Sequence, residues 1–178
     1  MPTATKSTAK RATAHKPAPK KKPAAPDAVD QLIADHKDVK ALFKDYDTLV
    51  KAEAQAEDKQ TIALQICTML TAHATVEEEL FYPAARSVLG DDEDLVDEAD
   101  VEHASCKDLI AQIETASPDD PLYDAKVKVL SEYIAHHVKE EEGEMFPKVR
   151  KSDLDLDALG EDMADRKAEL LGDDADKH

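Results

Sequence analysis

Between Pro26 and Lys151 the apolar residues recur three or four positions apart, the spacing of one face of an α-helix. The first stretch, near residues 27–53, sets Leu32/Ile33, Val39, Phe43 and Tyr46 in one phase, with His36 among them. A second opens at Glu57-Asp58 and carries Ile62, Ile66, Met69, Leu80 and Ala84 in its stripe. It ends at Gly90, a residue suited to the position just past a helix C-terminus. Asp91-Asp92-Glu93-Asp94 favours the positive N-terminus of a third helix, which runs to about Ala116. Ser117-Pro118-Asp119-Asp120-Pro121 reads as a turn, and the fourth helix follows to about Lys151 with Val127, Leu130 and Ile134 in phase. Connections this short make neighbouring helices antiparallel. The pattern predicts an all-α protein whose residues 27–151 form an up-down-up-down four-helix bundle.

Both ends break that pattern. Residues 1–26 are a Lys/Ala/Pro/Thr tail with almost no large apolar side chain, so nothing offsets the entropy of ordering and disorder is expected. The tail has the charge of a mitochondrial presequence, but one Arg, five prolines and the lack of an amphipathic face speak against that role. Residues 152–178 form an acidic extension with apolar positions at 156, 159, 163 and 170/171. Two readings of it stay open, a short helix laid against the bundle and a loose extension, with Gly172 to His178 frayed.

Charge narrows the choice of partners. Residues 1–26 hold seven Lys/Arg and no acid, so the formal charge of −17 becomes −24 on the remainder. Such a body repels nucleic acid and anionic membrane, leaving only weak contact by the basic tail. No apolar run approaches the roughly 20 residues needed to cross a bilayer, and no secretory signal is evident. Cys67 and Cys106 lie within apolar-periodic stretches without CxxC spacing and read as buried thiols of a cytoplasmic protein.

The chemistry lies in a repeat. His73-Ala-Thr-Val-Glu77-Glu78-Glu79 precedes Tyr82-Pro83, and His137-Val-Lys-Glu-Glu141-Glu142 precedes Phe146-Pro147. In both copies Glu follows His by four residues and Pro follows by ten. Each copy is preceded by an acid-His pair, Asp35-His36 lying 37 residues before His73 and Glu102-His103 lying 34 before His137. All four histidines fall in the apolar phase of separate helices, and Glu77 and Glu141 lie one turn beyond two of them. A buried, unpaired carboxylate costs several kcal/mol, and no inward Arg or Lys is evident to balance it. A pair of divalent metals supplies that balance. The i,i+4 spacing places imidazole and carboxylate on one face, so that a His serves one metal while the Glu bridges to the other. Imidazole plus carboxylate suits non-haem iron, with manganese or zinc as competitors.

The order H…HxxxE…H…HxxxE over residues 27–151 resembles the hemerythrin-like, or HHE cation-binding, domain. The resemblance implies an antiparallel four-helix bundle around a di-iron centre bridged by oxygen and carboxylates. It also implies two Fe ions with an oxo or hydroxo bridge, held by His36, His73, Glu77, His103, His137 and Glu141. Oxygen-carrying hemerythrins place a further His one turn after the third-helix His, where this chain has Lys107; it resembles instead the four-His, two-Glu branch. Ferritin-like carboxylate sites use Glu-x-x-His pairs, and none occurs in this chain.

Several residues flank this constellation. His136 rivals His137 because Glu140 lies four residues on, but only His137 keeps register with Glu141 and Pro147. Glu78, Glu79 and Glu142 read as a solvated face beside the site, with bases behind the ligands as the alternative. Pro83 and Pro147 should kink their helices and free the carbonyls of Glu79 and Gly143. Tyr46, Tyr82 and Tyr133 are candidates to approach the site. Three functions follow: binding or sensing of O2 or NO with iron handling; an oxidoreductase decomposing peroxide or NO; and iron storage or detoxification. No nucleophile or general acid-base pair is evident, which favours a metal- and ligand-binding protein over an enzyme.

Overall fold

The computed structural model describes residues 26–175, and among these every regular element is helical. The expectation for the basic tail falls outside the described residues; of the segment expected to fray, 172–178, residues 172–175 continue the last helix and only 176–178 fall outside. Helix α1 is Ala28–Lys51; Asp27 caps it by accepting the amide of Asp30 at 2.8 Å. The second long helix comprises α2 (Ala56–Val76), a π turn at Glu77–Phe81 and α3 (Tyr82–Leu89). Gly90, with φ +58°, ends it and leads through a short 3₁₀ turn into α4 (Asp94–Thr115). The fourth repeats the second: α5 (Tyr123–Glu140), a π turn at Glu141–Met145 and α6 (Phe146–Val149). In the resulting bundle α1 packs on α2 and α5, and α4 packs on α2 and α5.

The prolines act through the π turns. Pro83 and Pro147 have no N–H for the carbonyl four residues back. One turn earlier the backbone widens, and the amides of Tyr82 and Phe146 reach back five residues to the carbonyls of Glu77 and Glu141. The helix continues through both prolines. The extra residue advances the buried face by about 100°. Leu80 and Ala84, expected in the core stripe, are therefore only half-buried, while Phe81, Tyr82, Ala85 and Leu89 are buried. The same shift buries Met145, Phe146 and Val149.

Two apolar clusters result. One contains Leu32, Val76, Phe81, Tyr82, Val96, Met145 and Phe146, and the other Val39, Ile66, Leu70, Ile110, Leu130 and Ile134. The four buried histidines lie between them in sequence on the four bundle helices. A last helix, α7 (Leu156–Ala175), packs on α1, α2 and the first π turn. Gly160 permits its approach: a Cβ there would stand 2.8 Å from the backbone nitrogen of Ala28. Gln31 Nε2 donates to the Gly160 carbonyl at 2.8 Å, and Arg166 pairs with Glu79.

Candidate metal centre

Four helices deliver six buried titratable side chains to one place. His36 comes from α1, His73 from the end of α2, His103 from α4 and His137 from the end of α5. Glu77 and Glu141 open the two π turns and are 0% and 1% exposed. Each carboxylate lies between two imidazoles on different helices. Glu77 Oε2 is 3.1 Å from His73 Nε2 and 3.5 Å from His103 Nε2. Glu141 Oε2 is 3.3 Å from both His36 Nε2 and His137 Nε2. The imidazoles pair across helices, with ring centroids 5.0 Å apart for His36 and His73 and 4.7 Å for His103 and His137. His36, His73, Glu77 and Glu141 form one potential cation-binding group, and Glu77, His103 and His137 a second.

Hydrogen bonding leaves these atoms unsatisfied. His36 Nε2, His73 Nε2, both oxygens of Glu77 and Glu141 Oε2 are buried without a hydrogen-bond partner. Orphaned buried polar atoms are rare in folded proteins, and a cluster of them calls for an explanation such as an ion or water. A divalent cation fits this donor set of imidazole nitrogens and carboxylate oxygens.

The other nitrogen of every imidazole is held by an acid from a neighbouring helix. Nδ1 of His36 donates to Glu142 Oε1 at 2.9 Å and Nδ1 of His73 to Asp35 Oδ2 at 3.2 Å. Nδ1 of His103 donates to Glu78 Oε1 at 2.9 Å, and Nδ1 of His137 to Glu102 Oε2 at 2.8 Å. These contacts fix each ring with Nε2 towards the centre, the support that metal-binding histidines characteristically receive. Glu78 and Glu142, expected on a solvated face, do this orienting work. Asp35 and Glu102 carried a signal in the recurrence of an acid before each His. Two of the four acids are themselves anchored, Glu78 by Lys107 and Asp35 by Lys167 of α7.

The field at the centre favours charge separation. Burial, the largest influence on His73, opposes its charged form, but Glu77, Asp35 and Glu141 outweigh it and raise the imidazole to about 10. His137 behaves alike, with burial outweighed by Glu141 and Glu102 and the imidazole raised to about 11. For Glu141 burial is again the largest influence and upward, yet His137 and His36 hold it well below the usual carboxylate range.

Of the three candidate tyrosines, Tyr82 reaches the centre. Its hydroxyl donates to Glu141 Oε1 at 3.0 Å and lies 3.2 Å from His103 Nε2. The equivalent residue of the other copy, Phe146, instead stacks on His36 with centroids 5.8 Å apart. Tyr46 turns away to donate to Asp124 at 2.7 Å, and Tyr133 is exposed. His136 is 61% exposed and absent from both buried groups. Cys67 and Cys106 are buried free thiols. A cavity of ≈ 20 Å³ adjoins the four histidines, walled by Val39, Leu70, Cys106, Ile110 and Ile134.

Comparison with known proteins bears on family and fold. A protein described as a DNA nickase from Nostoc sp. is 34% identical over 128 residues, 69% of this chain and 33% of that protein. The chain thus spans about a third of that relative's length. The crystal structure of a hemerythrin HHE cation-binding domain-containing protein from Mycobacterium kansasii superposes with a TM-score of 0.67 at 24% identity. That match covers 83% of this chain and 88% of the other, and shows a shared fold. The family model for the hemerythrin HHE cation-binding domain matches residues 27–149, a span that includes all six buried His and Glu side chains, and the chain belongs to that family.

Proposed function

We propose that the chain holds two non-haem iron ions through His36, His73, Glu77, His103, His137 and Glu141. At this centre it binds or senses a small ligand such as O2 or NO, or handles iron. The observation that carries the reading is the cluster of orphaned polar atoms on His36, His73, Glu77 and Glu141. Two carboxylates buried this deeply require compensation, and cations between the imidazole pairs provide it. His36 and His73 would serve one ion, His103 and His137 the other, with Glu77 and Glu141 shared. Iron in such a set supplies a change of oxidation state and open positions for an outside ligand. The reading includes the up-down-up-down order of the four long helices and a cytoplasmic setting.

The cavity favours binding over acid-base catalysis. At ≈ 20 Å³ it has room for one molecule of about the size of water, and beyond the histidines its wall is largely aliphatic, with Thr71, Cys106, Asp35 and Lys107 also among the lining residues. A neutral diatomic suits such a wall better than an ion. The alternative is an oxidoreductase that decomposes peroxide or NO, favoured by one observation: the Tyr82 hydroxyl is a buried donor at the centre. Storage or detoxification of iron would use the same ligands. The description of the Nostoc relative raises DNA as a partner, but a charge of −24 outside residues 1–26 opposes contact with phosphates. Supercoiled plasmid incubated with the metal-loaded chain should stay unnicked.

The test is metal content after growth with ample iron, then anaerobic reduction and re-exposure to oxygen in a spectrophotometer. Two irons per chain and a reversible visible band support ligand binding. Two irons with irreversible oxidation support the oxidoreductase. No metal, or a single zinc, ends the di-iron reading.

A further inference from the structure

A second cluster of metal-ligating side chains lies on the surface next to the buried centre. Glu102 of α4 and His136 and Glu140 of α5 bring one ligand atom each within 4.8 Å of one another. His136 Nε2 is 3.1 Å from Glu140 Oε1 and 3.5 Å from Glu102 Oε1. Ligands about 2.1 Å from one ion, set at octahedral or tetrahedral angles, stand about 3.0–3.4 Å apart, so these spacings suit a shared cation. Neither contact has hydrogen-bond geometry; they are close approaches of a nitrogen to carboxylate oxygens, as are the Nε2 contacts of Glu77 and of Glu141 inside. A plain surface ion pair is the competing explanation, yet such a pair needs one acid, and two helices supply two.

The cluster is connected inward. The second oxygen of Glu102 accepts from His137 Nδ1 at 2.8 Å, so one carboxylate touches both the outer cluster and a proposed ligand of the centre. A cavity of ≈ 10 Å³ is lined by Glu102 and Glu140 of the cluster and by His137 and Glu141 of the centre, together with Leu95, Ala99 and Met145.

We propose that Glu102, His136 and Glu140 form a third divalent-cation site, which receives the ion from solvent and passes it along Glu102 to the buried centre. The site takes a hydrated first-row cation of the Fe²⁺ class, two carboxylates and one imidazole replacing part of its water. His136 thereby has a role of its own, distinct from that of His137. The delivery step rests on the proposed metal centre; the existence of the outer site does not.

The test uses the full chain stripped of metal, with Co²⁺ as probe, alongside His136→Ala and Glu140→Gln. Both substitutions lie at the surface and leave Glu102 on His137. Equilibrium dialysis should count three Co²⁺ in the parent, the third weakest, and two in either variant. The rate at which chelator-resistant Co²⁺ accumulates at limiting metal should fall about tenfold or more in the variants, because a pre-bound ion acts at high effective concentration. Two ions in parent and variants alike would overturn the outer site, and three in all would overturn its placement. Loss of the third ion with an unchanged filling rate would overturn delivery. One ion in the parent and none in His136→Ala would leave the outer site standing and remove the buried centre instead.

Discussion

Nδ1 of His103 donates to Glu78 at 2.9 Å, and Glu78 is held in turn by Lys107 at 2.7 and 2.5 Å. Lys107 occupies the position where oxygen-carrying hemerythrins have a further histidine. In this chain it orients a histidine through an intervening carboxylate. Glu78→Gln should keep the fold and lower metal affinity about 10- to 100-fold, as loss of such supporting contacts does. Lys107→Ala should shift it less, in the same direction. Competition with a chelator of known strength measures both; equal affinity in parent and Glu78→Gln would remove the orienting role.

Metal uptake should release protons. His73 and His137, raised to about 10 and about 11, are protonated in the metal-free protein at neutral pH, and a cation must displace those protons. Because both values lie above the unfolded imidazole's, the stability they contribute is complete below about pH 6.5. It is lost as pH rises through 10–11. Melting temperature of the metal-free protein should therefore fall on that alkaline side, while the loaded protein changes less. Matching profiles would contradict the assignment, and pH-stat titration with metal gives an independent count.

The two copies of the repeat differ where Tyr82 faces Phe146. Tyr82→Phe deprives Glu141 of a buried donor, a hydrogen bond to a charged group worth about 1.5–3 kcal/mol. Chemical denaturation of the metal-free protein should register that loss while metal stoichiometry stays the same. A variant as stable as the parent would show that the Tyr82 hydroxyl contributes nothing to holding Glu141.

Helix α7 should be coupled to the centre through Lys167, Asp35 and His73. Gly160→Ala places a methyl 2.8 Å from the backbone of Ala28, and relief requires α7 to move. The expected cost is about 1–3 kcal/mol, the usual range for overpacking. Affinity for the ion at His73 should weaken as well. A purely global loss of stability with unaltered metal affinity would separate α7 from the site.

Convergence of the six side chains was legible because each of the four histidines shares the apolar phase of its own helix. The phase beyond Glu77 and Glu141 was not. A proline announces a missing hydrogen bond but does not say whether the chain bends or widens, and widening moved burial from Leu80 and Ala84 to Phe81, Tyr82 and Ala85. Glu78 and Glu142 do lie at least partly in solvent, and their bracing of histidines was missed for a different reason. Each sits beside an inward Glu, where periodicity predicts solvent, and its reach to a histidine depends on how closely two helices approach. Periodicity within one helix carries no such information.

The acids and histidines come as adjacent couples: Asp35-His36, Glu102-His103, Glu77-Glu78 and Glu141-Glu142. In each couple one residue points into the centre and its neighbour braces a histidine on another helix. A slip of α1 or α4 by a single residue would therefore offer a carboxylate where an imidazole belongs, or neither, and would forfeit its neighbour's brace at the same moment. The polar layer thus acts as an alignment gauge for the bundle, rejecting misregistered packings that the interchangeable aliphatic side chains on either side would tolerate.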